Sequence, residues 1–317
     1  MLLLVKLRFK SALKVGGGDL AQGEEFRGIL HSDTIFSAIL NEWVRIYGRV
    51  SAETLLSTFR GDLPPFKISS AFPYCLDEYY LPAPYGTGEL HMYKLKETPF
   101  LELYDFLDLA SGNQQSILKK DLINPLENIL FQQIAPRVSI DRISAATNVY
   151  QVTGWQFKEE GGLYFIIDLH DNALNEKLHL CIKMLGDSGF GGDRSVGYGL
   201  FDAEIHPIND AAGWLDLFQK RSGENIVYFT LSLCCPSTEE AKEAVSYQLL
   251  SRKSWIFSHS SAKQLKRREC KMIAEGSLFR NLIKGQLVDV TPSEFTEHNV
   301  YRYGLGMMID VVDLVKP

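Results

Sequence analysis

Five glycines fall within eleven residues at 189–199, GFGGDRSVGYG, between a stretch of helical periodicity and one that reads as a strand. Glycine lacks a Cβ, so such a run lets a chain turn tightly or bring one backbone against another. Its position restricts what the chain can fold into. Walker loops and dinucleotide fingerprints run from strand to helix, and here the order is reversed, with no Gly-Lys-Ser/Thr following. Two readings stay open. The amides of Gly189, Gly191, Gly192, Gly197 and Gly199 form an anion nest, helped by Arg194 and Ser195 as phosphate donors. Alternatively, the segment is a plain helix-to-strand turn.

The flanking pattern supplies a frame. Residues 1–10, MLLLVKLRFK, alternate Lys6, Arg8 and Lys10 with Val5, Leu7 and Phe9, as a half-exposed strand does. A glycine connection at Gly16–Gly18 leads to a helix over 31–48. Ser32 or Asp33 is suited to cap it, Ile35, Phe36, Ile39, Leu40, Trp43, Val44 and Tyr47 share one face, and Gly48 stops it. Six prolines in 61–99 favour short strands, and 100–130 reads as helical. LYFIIDLH (163–170) is almost continuously apolar and reads as a buried strand. A helix over 174–185, the glycine segment and a strand near 199–206 follow. This is the βαββαβ order of a ferredoxin-like domain with a long insertion. Residues 207–225 read as a linker. A second unit opens with a strand at 226–233 and a helix at 237–249, and Tyr303-Gly304-Leu305 echoes Tyr198-Gly199-Leu200 before its last strand. The fold class is α+β, with domains at 1–210 and 222–317.

Composition excludes several classes. A chain of 317 residues with 45% hydrophobic and 23% charged residues has the material for a core, and its net charge of -6 is not that of a generally basic nucleic-acid binder. Charge is instead local: residues 252–271 hold seven basic side chains against one acid, with Trp255 and Phe257 among them. Cations beside aromatic faces suit single-stranded nucleic acid; a solvated edge strand guarded by Lys and Arg has the same composition. No apolar run reaches the ~18 residues that span a bilayer, and basic residues interrupt the N-terminal run too early for a signal peptide. Five scattered cysteines without a CxxC pair support neither a zinc ribbon nor a disulfide framework. The expectation is a cytoplasmic protein with no membrane association, metal or cofactor.

Two further segments stand out. Residues 136–157 form a polar excursion with Arg137 and Arg142, longer than a compact domain needs. His31-Ser32-Asp33 opens a helix, where phosphate is favoured and His31 has the chemistry of a base, although simple capping accounts for the same residues. There is no Gly-x-Ser-x-Gly elbow, and the seven histidines show no metal-ligand spacing.

The opening strand, glycine turn and HSDTIFSAI, together with GFGGDRSVGYGLF, resemble the RAMP proteins of CRISPR systems. RVSIDRISAATNVYQV, RKSWIFS and VYRYGLGMMIDV resemble more narrowly the family of the fourth Csm subunit of type III-A effector complexes, in the Cas five-like group. The resemblance implies two ferredoxin-like domains, a thumb-like β-hairpin and a non-catalytic role in antiviral defence. Its implied partners are the crRNA 5′ handle, the Cas ten-type large subunit and the Csm three-type backbone subunit. Carried onto this chain, loop 189–199 including Tyr198 holds handle phosphates, and Arg137, Asp141 and Arg142 lie on the thumb. His31, Ser32 and Asp33 lie near the RNA path. Arg252, Lys253, Tyr301, Arg302 and Tyr303 contact the guide or pack the domains. The rival reading is a RAMP endoribonuclease that processes repeat RNA with His31 as general base.

Overall fold

A computed structural model describes residues 1–15, 26–86, 99–141, 146–208, 213–221, 225–257 and 265–313. The expected glycine connection at Gly16–Gly18 and Arg142 lie outside them. The chain begins with β1 (Leu2–Phe9) and α1 (Ser32–Thr58), followed by β2 (Phe66–Ile68), β3 (Phe72–Cys75), β4 (Glu78–Pro82) and β5 (Phe100–Glu102). Three short helices come next, α2 (Leu103–Ala110), α3 (Gln114–Lys119) and α4 (Pro125–Ile129). The long strands β6 (Leu130–Ile140) and β7 (Thr147–Phe157) precede β8 (Gly161–Leu169), α5 (Asn175–Ser188) and β9 (Phe201–Pro207).

In the main sheet β3, β8, β1 and β9 lie side by side in that order, and each neighbouring pair is antiparallel. β8 is central and buried on both faces, which is why its sequence does not alternate. Leu163, Phe165, Ile167 and Leu169 point into a core with α1 and α5; Tyr164 and Ile166 point into a second core on the opposite face. Gly48 breaks α1 at φ 83, where the sequence predicts its end, and a further helical stretch continues to Thr58. The capping expectation fails. His31 occupies the cap position without a side-chain cap bond, because Ser32 Oγ accepts the Leu233 N–H at 3.1 Å and Asp33 is engaged by arginines.

The remaining elements are α6 (Trp214–Phe218), β10 (Ile226–Thr230), β11 (Ala244–Ser246), β12 (Leu249–Arg252), β13 (Cys270–Ile273), β14 (Leu278–Phe279), β15 (Val288–Asp289), β16 (Tyr301–Arg302) and β17 (Met308–Val312). β11, β14, β10 and β17 form a four-stranded sheet in that order. The helix expected at 237–249 is absent. Ser237 and Glu240 do form a reciprocal capping box, at 2.8 and 3.3 Å, but only a 3-10 turn (Glu240–Glu243) follows. Pairing of Ala244 and Ser246 with β14 takes over there, and the Glu240 carboxylate also accepts the Lys284 N–H at 2.8 Å.

The two units share one core. Val227, Phe229 and Val311 join Phe106, Tyr164 and Ile166, with Phe106 and Phe229 in edge contact at 4.9 Å. Trp214 of the expected linker is buried against Tyr79 and Tyr164. Among the described residues, no helix is long and apolar enough to cross a membrane.

Candidate nucleic-acid interface

The glycine loop folds back on the chain leaving β1. Gly192 N–H donates to the Lys14 carbonyl at 2.8 Å and Gly199 N–H to Ala12 at 2.8 Å. Gly189 N–H donates to Leu185 at 2.8 Å and Gly197 N–H to Arg194 at 3.0 Å. The expected nest of outward amides is therefore largely consumed internally. The glycines serve close approach instead: at Gly199, with φ +73, a Cβ would overlap the Phe190 carbonyl oxygen. What the loop presents outward is side chain, namely Arg194 and exposed Ser195, beside an ion pair of Lys14 and Asp193 at 2.7 Å.

β6 and β7 form the long hairpin, paired from Leu130↔Phe157 to Ile140↔Thr147. The expected excursion at 136–157 is the greater part of it. At ~3.3 Å per residue, eleven residues reach roughly 36 Å. Its base is sewn to the chain after β1: Leu13 and Trp155 exchange backbone bonds at 2.7 and 2.8 Å, and Val152 packs on Ala12 and Tyr198. The Arg137 guanidinium sits 5.7 Å from the Tyr198 ring centre, so thumb and glycine loop meet there. Asp141 is exposed near the tip, where its N–H donates to Ala146 at 2.9 Å.

The basic stretch is an arm that continues β12 and β13. RKSWIF alternates: Ile256 is buried against Val290, Phe295 and Val300, while Lys253, Trp255 and Phe257 face outward. Backbone bonds from Ile256 to Leu265 and from Arg267 to Ser254, both 2.8 Å, hold its strands together. Lys253 pairs with Glu269 at 3.1 Å and Lys266 Nζ lies 5.3 Å over Trp255. The Arg194 guanidinium of the glycine loop lies 4.6 Å from the centre of the Phe257 ring. Loop, thumb base and basic arm, read separately from the sequence, thus form one continuous surface.

Beneath that surface is a buried brace. Arg252 donates to Asp33 at 3.0 and 3.1 Å; Arg302 donates to the same carboxylate and to Ser254 Oγ at 3.1 Å. Burial by itself pushes the Asp33 pKa up, but Arg252 and Arg302, and then His31, hold it far below the usual carboxylate range. Arg267 is lowered to about 10 by burial and by the like charge of Arg302. Tyr303 is fully buried, stacked on Phe36 at 4.8 Å, and its hydroxyl accepts the Ile68 N–H at 3.0 Å. Tyr301 packs under Arg60, 4.8 Å from ring centre to guanidinium. Of the two roles open to Arg252, Arg302 and Tyr303, their geometry is that of packing, and Asp33 and Ser32 are enclosed with them.

His31 faces the second unit. Its Nδ1 lies 3.0 Å from Glu275, whose carboxylate also accepts the Ser70 hydroxyl. Glu275 is buried, which raises its pKa, yet His31 and Ser70 bring the net shift below the ordinary value. Arg267 was visible in the sequence only as one more cation of the basic stretch, and Glu275 escaped the sequence reading, because a buried partner carries no local signal. The arm's aromatic residues had one, the alternation of RKSWIF.

A helix-to-strand glycine loop packed on the end of the first strand, a thumb hairpin at its side and a two-unit α+β frame are the features of a RAMP-superfamily protein. The family model described as "RAMP superfamily" matches residues 6–202. Residues 224–311 match that described as "CRISPR Csm4 C-terminal domain". The chain is 31% identical over 304 residues to the CRISPR system Cms protein Csm4 of Thermococcus onnurineus (strain NA1), covering 90% of this chain and 93% of that protein. It belongs to the Csm4 family. A chain of the crystal structure of a Csm1-Csm4 cassette in complex with cA4 superposes with TM-score 0.63 at 25% identity, covering 98% of this chain and 97% of that one. A chain of a Csm3-Csm4 subcomplex of the type III-A interference complex shares the fold, with TM-score 0.66 at 19% identity and coverage of 98% and 99%.

Proposed function

We propose that this chain is a non-catalytic RNA-binding subunit of a type III-A CRISPR effector complex. It caps the 5′ handle of the crRNA and bridges the Cas ten-type large subunit to the Csm three-type backbone. Relatives solved as Csm1-Csm4 and Csm3-Csm4 assemblies support the two protein partners. The strand order of the first unit supports a ferredoxin-like domain, and the helix-poor sheet of the second supports a reduced relative of it. One observation carries the RNA reading: Arg194 meets Phe257, so that the loop, the thumb and the most basic stretch of an acidic chain line one surface.

Phosphate neutralisation supplies affinity and makes it salt-dependent. Filter binding of full-length protein to handle RNA across a salt series tests the reading. Arg194→Ala and Arg142→Ala weaken binding, and each lowers the log–log salt slope by about 0.7. Unchanged affinity and slope in both variants would remove the loop and thumb from the RNA path.

One feature favours the rival reading. Glu275 fixes the His31 ring through Nδ1, as an orienting carboxylate does for a general base. The neighbouring Asp33, however, is fully committed to two arginines. Incubation with repeat RNA, with and without Mg²⁺, decides between them: cleavage that disappears in His31→Ala would establish the nuclease.

A further inference from the structure

The outward face of the arm carries more than cations. Trp255 and Phe257 are 43% and 48% exposed, whereas Ile256 between them is 7% exposed. Residues two apart on a paired strand point to the same side, separated by about 6.6 Å. Large rings normally go inside a protein or against a partner. Here two stand on one face of the most basic stretch of the chain. Each has a cation over one face of its ring, Lys266 at 5.3 Å and Arg194 at 4.6 Å, and exposed Lys253, ion-paired with Glu269 at 3.1 Å, lies on the same side of the arm. The arm beneath is stiffened by the buried Ile256 cluster and by Arg252 and Arg302 on Asp33. The backbone that carries the rings is therefore held in place.

A partner must match both parts of this face. An acidic protein would satisfy the cations but has no general use for two exposed aromatic rings. A nucleic-acid duplex would satisfy the cations but keeps its base faces stacked inside. Unpaired nucleotides offer phosphates and open π faces together. We propose that Trp255 and Phe257 form a stacking platform for two successive unpaired bases of the bound RNA, with Arg194, Lys253 and Lys266 placed for their phosphates. The inference rests on the handle-binding reading and adds the mode of recognition. Every base has a π face, so the platform sets affinity and register while tolerating base identity.

The test uses full-length protein and RNA carrying the repeat-derived 5′ end, intact or with an abasic nucleotide at each position in turn. Binding is followed by titration and by tryptophan fluorescence: Trp43 and Trp214 are buried, Trp155 is half-buried and Trp255 is exposed, and comparison with Trp255→Phe isolates the Trp255 signal. Wild type loses roughly 5- to 150-fold in affinity at each of two adjacent abasic positions, and nowhere else to that extent. The variant with Trp255→Ala and Phe257→Ala shows the loss with intact RNA and no further loss at those positions. Trp255→Phe keeps the affinity but loses the fluorescence quench, and annealing a complementary strand abolishes the quench in wild type. Unaltered melting temperatures confirm that the variants are folded. If wild type binds handle RNA but no abasic position matters, or the double variant and the abasic losses add in full, the platform is wrong while the handle reading stands. If wild type does not bind the RNA at all, both fail.

Discussion

The guanidinium of Arg252 holds the carboxylate of Asp33 through two hydrogen bonds, 3.0 and 3.1 Å long, and so ties a strand of the second unit to the first turn of α1. Arg302 reaches the same carboxylate from a different strand. Asp33 is thus the internal anchor of the arm that carries Trp255 and Phe257.

Removing that anchor leaves the buried Arg302 and the half-buried Arg252 without their counter-charge. Asp33→Asn destabilises the fold by about 3–5 kcal/mol, measured by urea denaturation. The exposed Arg49–Glu53 pair on α1 is the contrast: Glu53→Ala, which leaves the Arg49 bond to the Glu297 carbonyl in place, changes stability by no more than about 0.5 kcal/mol. Equal effects of the two variants would refute the brace.

The buried carboxylates also set an acid limit. Asp33 and Glu275 have folded pKa values below their ordinary 3.8 and 4.5. Their stabilisation is complete above those ordinary values. It is lost as pH falls through and below them, because the unfolded chain then binds protons that the folded carboxylates refuse. Melting temperature should fall steeply below about pH 4.5, and the fall should be shallower in Asp33→Asn.

Glycines of the loop are not equivalent. Gly199 has no room for a Cβ, whereas Gly197 has positive φ with open space around it. Gly197→Ala costs only the backbone term, about 1–2 kcal/mol, and Gly199→Ala costs more because the Phe190 carbonyl must also move. Paired thermal melts check the order; a reversed order would mean that the loop is held differently.

Tyr303→Phe removes the acceptor of the buried Ile68 N–H and should cost about 1–3 kcal/mol, with RNA affinity unchanged in the folded variant. A loss of affinity without a loss of stability would return Tyr303 to the RNA path.

Cysteine reactivity is graded in the same way. A hydrogen bond with Cys235 lowers the Cys270 pKa to about 7, while burial pushes Cys181 and Cys234 up to about 12. Iodoacetamide at neutral pH should label Cys270 first and leave Cys181 and Cys234 unmodified until the protein unfolds, as read by peptide mass spectrometry.

Local pattern was enough to place the scaffold. β1, β8 and β9 follow from alternation and from one continuous apolar run, α1 from helical spacing up to Gly48, and the glycine loop from its composition. These features record how each segment meets solvent or core, which is written in neighbouring residues. The helix expected at 237–249 misled for the complementary reason: its capping box is genuine, but pairing with Leu278–Phe279 outcompetes further helical turns. The same limit applied to the site. Ser32 and Asp33 look like capping residues from the sequence, and only the approach of Leu233, Arg252 and Arg302 diverts them. Arg194 and Phe257 were each visible as residues suited to RNA, yet their contact depends on how the second unit packs against the first. Burial and long-range pairing between distant segments are properties of the assembled core, so tertiary structure alone decided which charges became the brace and which became the surface.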